Sequence, residues 1–426
     1  MMNQPKHIIT ACLLAFSLGS VAQDALTPET YREKVLNYSQ VLKQSRQQTS
    51  ASVAGKKIAY KGYLPKLDFA ADATLDLKEL QAWDGAEGEY RNHTYSGQLT
   101  LSQPLYAGGA LQAQNKIAEQ DLKLSELSEE LTYDQINYQA DAAYWNASAY
   151  LALFKSAQEF YDIVKKQHDV ISDRFEDGMI SRTDLLMIST RLKEAELQLQ
   201  IAEKNYTLAM QKLHILMGME PNSPMEALTN INTARPRPTL LSLNEVLDRR
   251  ADYLSTGADL VRQEAVRKAA ISKYNPQLNL NVSGGWGSAA PNIGYDPQWN
   301  AMAGVYLRVP IFYWGERKQT NLQNRALINI KKLQQSYVTD NINEELSGAW
   351  TKITQSEQQV NIAMDNVKFA QENLDLVTFS YNEGKASMVD VLSAQLSWTQ
   401  AQSNVINAYL AHKMALAEYN KVVSAY

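Results

Sequence analysis

Four stretches of the chain alternate strictly between apolar and polar residues. In the first, Leu67, Phe69, Ala71, Ala73, Leu75 and Leu77 alternate with Lys66, Asp68, Ala70, Asp72, Thr74 and Asp76. In the second, Tyr95, Leu99, Leu101 and Leu105 face Thr94, Ser96, Gln98, Thr100 and Ser102. The third sets Leu278, Leu280, Val282 and Trp286 against Gln277, Asn279, Asn281 and Ser283. The fourth sets Trp299, Ala301, Ala303, Val305, Leu307 and Val309 against Gln298, Asn300, Gly304, Tyr306 and Arg308. A period of two predicts strands with one apolar and one polar face. Their length of about ten residues is that of a strand crossing an outer membrane. A half-buried sheet in a soluble sandwich gives the same alternation. Asp68, Asp72 and Asp76 in succession on the polar face favour a wet lumen, and so does the length of the helices on either side.

Those helices come from a second pattern. From Gly109 to Asp173 there is no proline, and Leu124, Leu127, Leu131, Tyr138, Ala142 and Trp145 recur at spacings of three, four or seven. This is a coiled-coil-like seam. A matching stretch runs from Gly315 to about Tyr381. At 1.5 Å per residue each is about 95 Å long, too long for a compact globule. Shorter helices precede the strand pairs, over Pro28 to Lys61 and Leu243 to Lys273.

The two sets of elements are copies of one another. Arg174-Phe-Glu-Asp-Gly178-Met-Ile-Ser181-Arg-Thr-Asp184-Leu-Leu returns, 206 residues on, as Ser380-Tyr-Asn-Glu-Gly384-Lys-Ala-Ser387-Met-Val-Asp390-Val-Leu. Pro104-Leu-Tyr-Ala-Gly-Gly109 returns as Pro310-Ile-Phe-Tyr-Trp-Gly315 at the same offset, and Tyr63-Leu-Pro65 as Tyr274-Asn-Pro276 at 211. The expected organisation is a first repeat over 23–217, a proline-containing linker over 218–241 and a second repeat over 242–426. The fold class is mainly α with a small β part: tandem long helical hairpins plus four amphipathic strands.

Residues 1–22 read as a secretory signal peptide, with Lys6 in the n-region, an apolar run from Ile8 to Leu18 and Ser20-Val21-Ala22 as the cleavage site. The only cysteine, Cys12, lies inside that apolar run, which argues against its lipidation. The mature chain then has no thiol and no disulfide. Its charge becomes −6 from −5 on loss of one lysine, which does not suggest a nucleic-acid binder. No other stretch has 18 consecutive apolar residues, so no transmembrane helix is expected.

Catalytic chemistry finds no candidates. His7, His93, His168, His214 and His412 are not paired at metal-ligand spacing, and no nucleophile motif accompanies them. The Gly108-Gly109 and Gly284-Gly285-Trp286-Gly287 runs lack the Gly-Lys-Ser/Thr of a phosphate loop. No cofactor or metal is expected, and the chain reads as a non-enzyme. Four strands cannot close a barrel, and an open edge cannot sit in lipid, so strands must come from several chains. Three chains would give twelve strands and a water-filled bore. Physics alone does not choose three over two or four.

The duplicated helix, strand pair and long hairpin resemble the TolC-like outer-membrane efflux proteins. The G-x-x-S-x-x-D-[LV]-L tips and Pro-x-x-x-[GW]-G junctions carry the likeness, which covers about Thr27 to Tyr426. It implies a homotrimer, with a twelve-stranded β-barrel in the outer membrane of a Gram-negative bacterium and a periplasmic α-helical barrel. It implies a periplasmic adaptor, an inner-membrane pump and a conduit for efflux. An exit duct for type I protein secretion uses the same fold, and a non-pore periplasmic coiled-coil scaffold is the alternative of a different class.

The resemblance also implies roles for residues. Gly178 and Gly384 are expected to reverse the chain at the tips, with Ser181-x-x-Asp184 and Ser387-x-x-Asp390 closing the return helices. Tyr381, Asp390 and Asp184 are gate candidates at the periplasmic entrance, Asp390 favoured over Asp184. Ala386 and Ser393 stand where the best-known members carry an arginine and an acid. Asp68, Asp72, Asp76 and Arg308 are expected to face the barrel lumen. Pro104, Gly109, Pro310 and Gly315 mark the strand-to-helix junctions. Ala251, after Arg249-Arg250, replaces a proline usual in the family. Trp286 and Trp299 fit interfacial anchors. The segments 83–92 and 291–297 are expected to be extracellular loops.

Overall fold

The computed structural model describes residues 26–75, 77, 93–224, 227–233, 236–287 and 297–426. The expected signal peptide, Asp76, residues 83–92 and all but Pro297 of the second expected loop lie outside the described residues. The chain order is α1 (Pro28–Tyr38), α2 (Gln40–Lys61), β1 (Lys66–Leu75), β2 (His93–Ala107), α3 (Ala110–Glu176) and α4 (Arg182–Met217). It continues through α5 (Leu243–Leu247), α6 (Ala251–Ser272), β3 (Gln277–Gly287), β4 (Gln298–Arg308), α7 (Glu316–Asn382) and α8 (Met388–Val422). The paired long helices α3 and α7 have 67 residues each, about 100 Å at 1.5 Å per residue.

One expectation fails in both copies at the same place. The helix expected over Pro28 to Lys61 is broken at Ser39, and the one over Leu243 to Lys273 is broken at 248–250. Ser39 and Arg250 are themselves 211 apart, the offset of the Tyr63 and Tyr274 pair. At Ser39 the backbone turns extended (φ −45°, ψ 115°) and its hydroxyl accepts from the Leu42 amide at 3.2 Å, starting a new helix. Arg250 (φ −69°, ψ 114°) precedes α6, so Ala251 occupies its first turn, where a proline would also fit. The substitution therefore leaves the local geometry intact.

The helices lie in rows. In the half next to the sheet, α2 packs on α3, α3 on α6 and α6 on α7. In the half away from it, α4 packs on α3, α3 on α8 and α8 on α7. The segment between α4 and α5 crosses the midpoints of these helices. Tyr144, buried near the middle of α3, donates its hydroxyl to Leu26 O at 2.5 Å and accepts from the Thr229 amide at 2.9 Å. Tyr419 donates to Thr239 O at 2.7 Å and accepts from the Leu241 amide at 3.2 Å. Separate apolar clusters form at this waist, around Tyr144, Trp145 and Met210 and around Ile342, Ile353 and Leu416. A third joins both hairpins towards their tips, around Phe160, Ile188, Val391 and Trp398. No helix among the described residues is long and apolar enough to cross a membrane.

The candidate channel surfaces and the hairpin tips

The four strands form one antiparallel sheet in the order β1-β2-β3-β4. Residues paired across strands share a face, so the register tests the alternation directly. Leu67 pairs with Leu101 and Leu101 with Val282, which pairs with Ala303. Phe69 pairs with Leu99, Leu280 with Val305, and Leu278 with Leu307. Apart from Leu105, which the bulge between Pro104 and Tyr106 leaves unpaired, the apolar series therefore fall on one face. The other carries Lys66, Asp68 and Asp72 beside Ser102, Thr100 and Ser96, then Asn281 and Asn279, and Arg308 opposite Gln277. Asp72 accepts a short bond from the Ser96 hydroxyl. Met302 and Tyr306 are the large departures on this side.

The two faces also differ in room. On the polar face, a Cβ at Gly285 would lie 2.4 Å from Gly97 O, and one at Gly287 would lie 2.6 Å from Ser96 Cβ. On the apolar face, Gly97 and Gly284 would meet nothing closer than 3.6 and 3.9 Å. The polar face is therefore the more crowded of the two at these glycines. Side chains converge on the concave side of a curled sheet. The apolar face is left bare: Trp299 is 82% exposed and Phe69 68%. Trp286 and Trp299 stand directly opposite one another at its far end, with Tyr95 5.4 Å from Trp286. At the near end Phe312 and the 90%-exposed Trp314 meet edge to face at 4.8 Å. The outer edges of β1 and β4 have no partner among the described residues.

The junctions to the long helices repeat each other in backbone but not in side chain. Gly108 and Gly109 both have positive φ (63° and 93°), and so do Trp314 and Gly315 (47° and 78°). Pro104 sits inside β2 beside a bulge between Pro104 and Tyr106 that carries the strand on to Ala107. Pro310 lies beyond the end of β4, which has no second partner to hold it on course.

The tips share one backbone solution. The Gly178 and Gly384 amides (φ 71° and 72°) bond to Phe175 O and Tyr381 O, and the following amides bond to Arg174 O and Ser380 O at 2.8 Å. This is the left-handed helix stop. Ser181 and Ser387 then cap α4 and α8 by accepting from the Asp184 and Asp390 amides. Only the second cap is reciprocal: the Asp390 carboxylate accepts from both the amide and the hydroxyl of Ser387, at 2.9 and 2.6 Å. These bonds hold the exposed Asp390 carboxyl below its ordinary pKa. Asp184 only accepts from the Ser181 hydroxyl, at 2.9 Å.

Of the three gate candidates, the structure associates two. Burial pushes the Tyr381 phenol up, the Asp184 charge adds to the shift, and Arg174 opposes it. Arg174 also donates to Asn382 Oδ1 at 3.5 Å, tying the end of α3 to the end of α7. Asp390 is engaged in its own cap instead. Arg174 and Asn382 escaped the sequence reading because they sit 208 residues apart. The loss of their matched partners between copies (Arg174 against Ser380) was the available signal. At the waist, burial would raise the Asp252 pKa, but Arg250 at 2.6 Å holds it down; Arg250 also reaches Glu345 at 2.8 Å. His168 and His412 bond serine hydroxyls at 3.2 and 3.1 Å. Among the described residues no group of three His, Cys, Asp or Glu could hold a metal ion.

Comparison with known proteins adds to this geometry. The outer membrane efflux protein family model matches residues 32–219 and 242–421. Nodulation protein T of Rhizobium leguminosarum bv. trifolii is 22% identical over 405 residues, 89% of this chain and 81% of that protein. Outer membrane protein TolC of Escherichia coli is 22% identical over 426 residues, covering 94% of this chain and 82% of that one. The crystal structure of the Campylobacter jejuni CmeC outer membrane channel superposes with a TM-score of 0.79 at 18% identity, covering 99% of this chain and 93% of that one.

Proposed function

The chain belongs to the outer membrane efflux protein family, whose members are the outer-membrane channels of tripartite efflux systems, and from that premise we propose how this sequence builds its channel. Three copies close a twelve-stranded barrel by pairing the free edge of β1 with that of β4, because unpaired backbone groups are not tolerated in lipid. The bare apolar face meets lipid and the crowded polar face lines the bore, with Asp68, Asp72 and Arg308 in the water. This division of faces by the register is the observation that carries the reading.

The helices close in the same sense. In each half α7 is one flank of the row, and α2 or α4 is the other. The flanks carry apolar residues with nothing against them: Leu197, Leu208 and Ile215 on α4, and Ile362, Phe369 and Leu376 at heptad spacing on α7. Such stripes fit the seam of a neighbouring coiled coil. We infer a heterologous interface that closes after three copies. The twelve-helix tube then runs from the membrane to tips that meet a periplasmic adaptor. An inner-membrane pump supplies the energy, and the chain conducts passively. Export uses the signal peptide of residues 1–22. Tyr381, Asp184 and Arg174 narrow the entrance, with Asp390 holding the second tip in shape.

The test is deletion of the gene and measurement of intracellular dye, detergent, bile-salt and antibiotic accumulation. Increased accumulation, restored by the wild-type gene, supports efflux. No change across the panel, with an extracellular protein lost from the medium instead, would make the chain a secretion duct.

A further inference from the structure

Charge is distributed very unevenly along the tube. The four helices join the sheet in one layer, marked by Leu64, Gly109, Tyr274 and Gly315 at the turns. Within about two helical turns of it (residues 53–64, 105–118, 265–276 and 309–318) stand nine Lys or Arg and one acid, Glu316. The whole chain, by contrast, has a net charge of −5. Helix α2 as a whole carries five basic residues and no acid.

Part of this belt is a built groove. A groove of about 810 Å³ between α2 and α3 is lined by Lys56, Lys57, Lys61 and Lys116 with Tyr60 and Leu64. All four lysines are exposed. Lys116 is paired with Glu119 at 2.9 Å, while Lys56, Lys57 and Lys61 have no ion pair among the described residues. The side on which the groove opens follows from its neighbour. Gln112 and Lys116 also line a groove between α3 and α6, together with Lys268 and Tyr106. Tyr106 pairs with Leu278, on the apolar face of the sheet. Both grooves therefore open outward, directly beneath the lipid-facing surface, and not into the bore.

Lysines below an apolar band, with tyrosines at the boundary, match the chemistry of a phospholipid at a membrane surface: phosphate to ammonium, glycerol and first acyl carbons to aromatic rings. We propose that the α2–α3 groove binds an anionic phospholipid of the leaflet at the helical end of the barrel, its phosphate among Lys56, Lys57, Lys61 and Lys116 and its glycerol against Tyr60, Tyr63 and Leu64. The proposal rests on the membrane placement of the sheet given above. The apolar barrel face ends at the groove, so a lipid seated there is continuous with the surrounding bilayer. Three copies would set a ring of such sites around the tube, fixing its depth and tilt.

The experiment is native mass spectrometry of the detergent-solubilised protein titrated with palmitoyl-oleoyl phosphatidylglycerol or, separately, phosphatidylcholine. The wild type should bind phosphatidylglycerol about tenfold or more tightly than phosphatidylcholine, given the known worth of a lysine at an anionic surface. Changing Lys56, Lys57, Lys61 and Lys116 to Gln should abolish that preference. Changing Lys165, Lys166, Lys193 and Lys204 to Gln, the same charge far from the sheet, should not. Equal binding of the two lipids by the wild type would overturn the proposal without any variant. So would equal loss in both variants, or displacement of the lipid by an equal concentration of inorganic phosphate. A protein that fails to insert into vesicles of either lipid would instead sink the membrane placement, and this inference with it.

Discussion

The two repeats are alike in backbone and unlike in side chain. All eight residues with positive φ among those described fall into four pairs 206 apart: Gly108 with Trp314, Gly109 with Gly315, Gly178 with Gly384, and Gly218 with Ser424. Six are glycine, which adopts this conformation freely. Trp314 and Ser424 hold it at a cost of about 1–2 kcal/mol each, so their surroundings impose it. The duplicated frame dictates where the chain turns, and the residue at the turn follows or is forced. The side chains depart from symmetry on that frame: acids on β1 against Arg308 on β4, and a reciprocal cap at one tip against the influence of the Asp184 charge on Tyr381 of the other hairpin.

The largest effect should come from the difference between the two faces of the sheet. Gly285→Val puts carbon into the backbone of β2 and should cost about 3 kcal/mol or more, enough to stop assembly. Gly284→Val, one residue away on the open face, should assemble. Detergent-resistant oligomer on a gel checks the pair, and equal behaviour would remove the argument for a concave polar face.

Next is the waist. Tyr144→Phe leaves Leu26 O and the Thr229 amide without their partner in a buried place, a loss of about 1–3 kcal/mol. Tyr419→Phe, which removes a similar pair of bonds from α8 to the linker, should cost less, because its partners are less deeply covered. Thermal unfolding of the two variants orders them.

A smaller effect of opposite sign is expected at the forced turns. Ser424→Gly should stabilise the chain by about 1 kcal/mol by relieving its left-handed backbone, while Gly218→Ser should destabilise it, since a Cβ there would meet the Tyr38 ring at 2.2 Å. Denaturant midpoints decide it.

The smallest effect is at the tips. Because the folded pKa of Asp390 is depressed, its contribution is present above the unfolded carboxylate value and is lost as pH falls through the folded one. Amide exchange at the start of α8 should therefore quicken below about pH 4, and Asp390→Asn should produce the same fraying at neutral pH. The start of α4, whose cap is one-sided, should respond less.

How much of this was legible follows from the range of each interaction. The strand faces were readable because alternation is local and the register kept it everywhere but at the β2 bulge, where Tyr106 takes the place expected of Leu105. The tips were readable because G-x-x-S-x-x-D encodes a helix stop and a cap within seven residues. The breaks at Ser39 and Arg250 were not, since neither carries a proline or glycine; a serine cap marks the first, and the ion pairs of Arg250 with Asp252 and Glu345 the second. Nor was the basic belt, whose lysines lie on four helices far apart in sequence and meet only in the fold. Asp390 is favoured over Asp184 in the sequence by its match to the resembled family; what the two motifs do not reveal is that the Asp184 charge acts on the Tyr381 phenol while Asp390 is engaged in its own cap.

The central claim is that one chain is an open third of a closed membrane tube. Its most direct test is the mass and location of the protein after gentle extraction. The account predicts that it sediments with the outer membrane, needs detergent to leave it, and then has three times the mass of one chain. Release as a monomer by osmotic shock, without detergent, would contradict it.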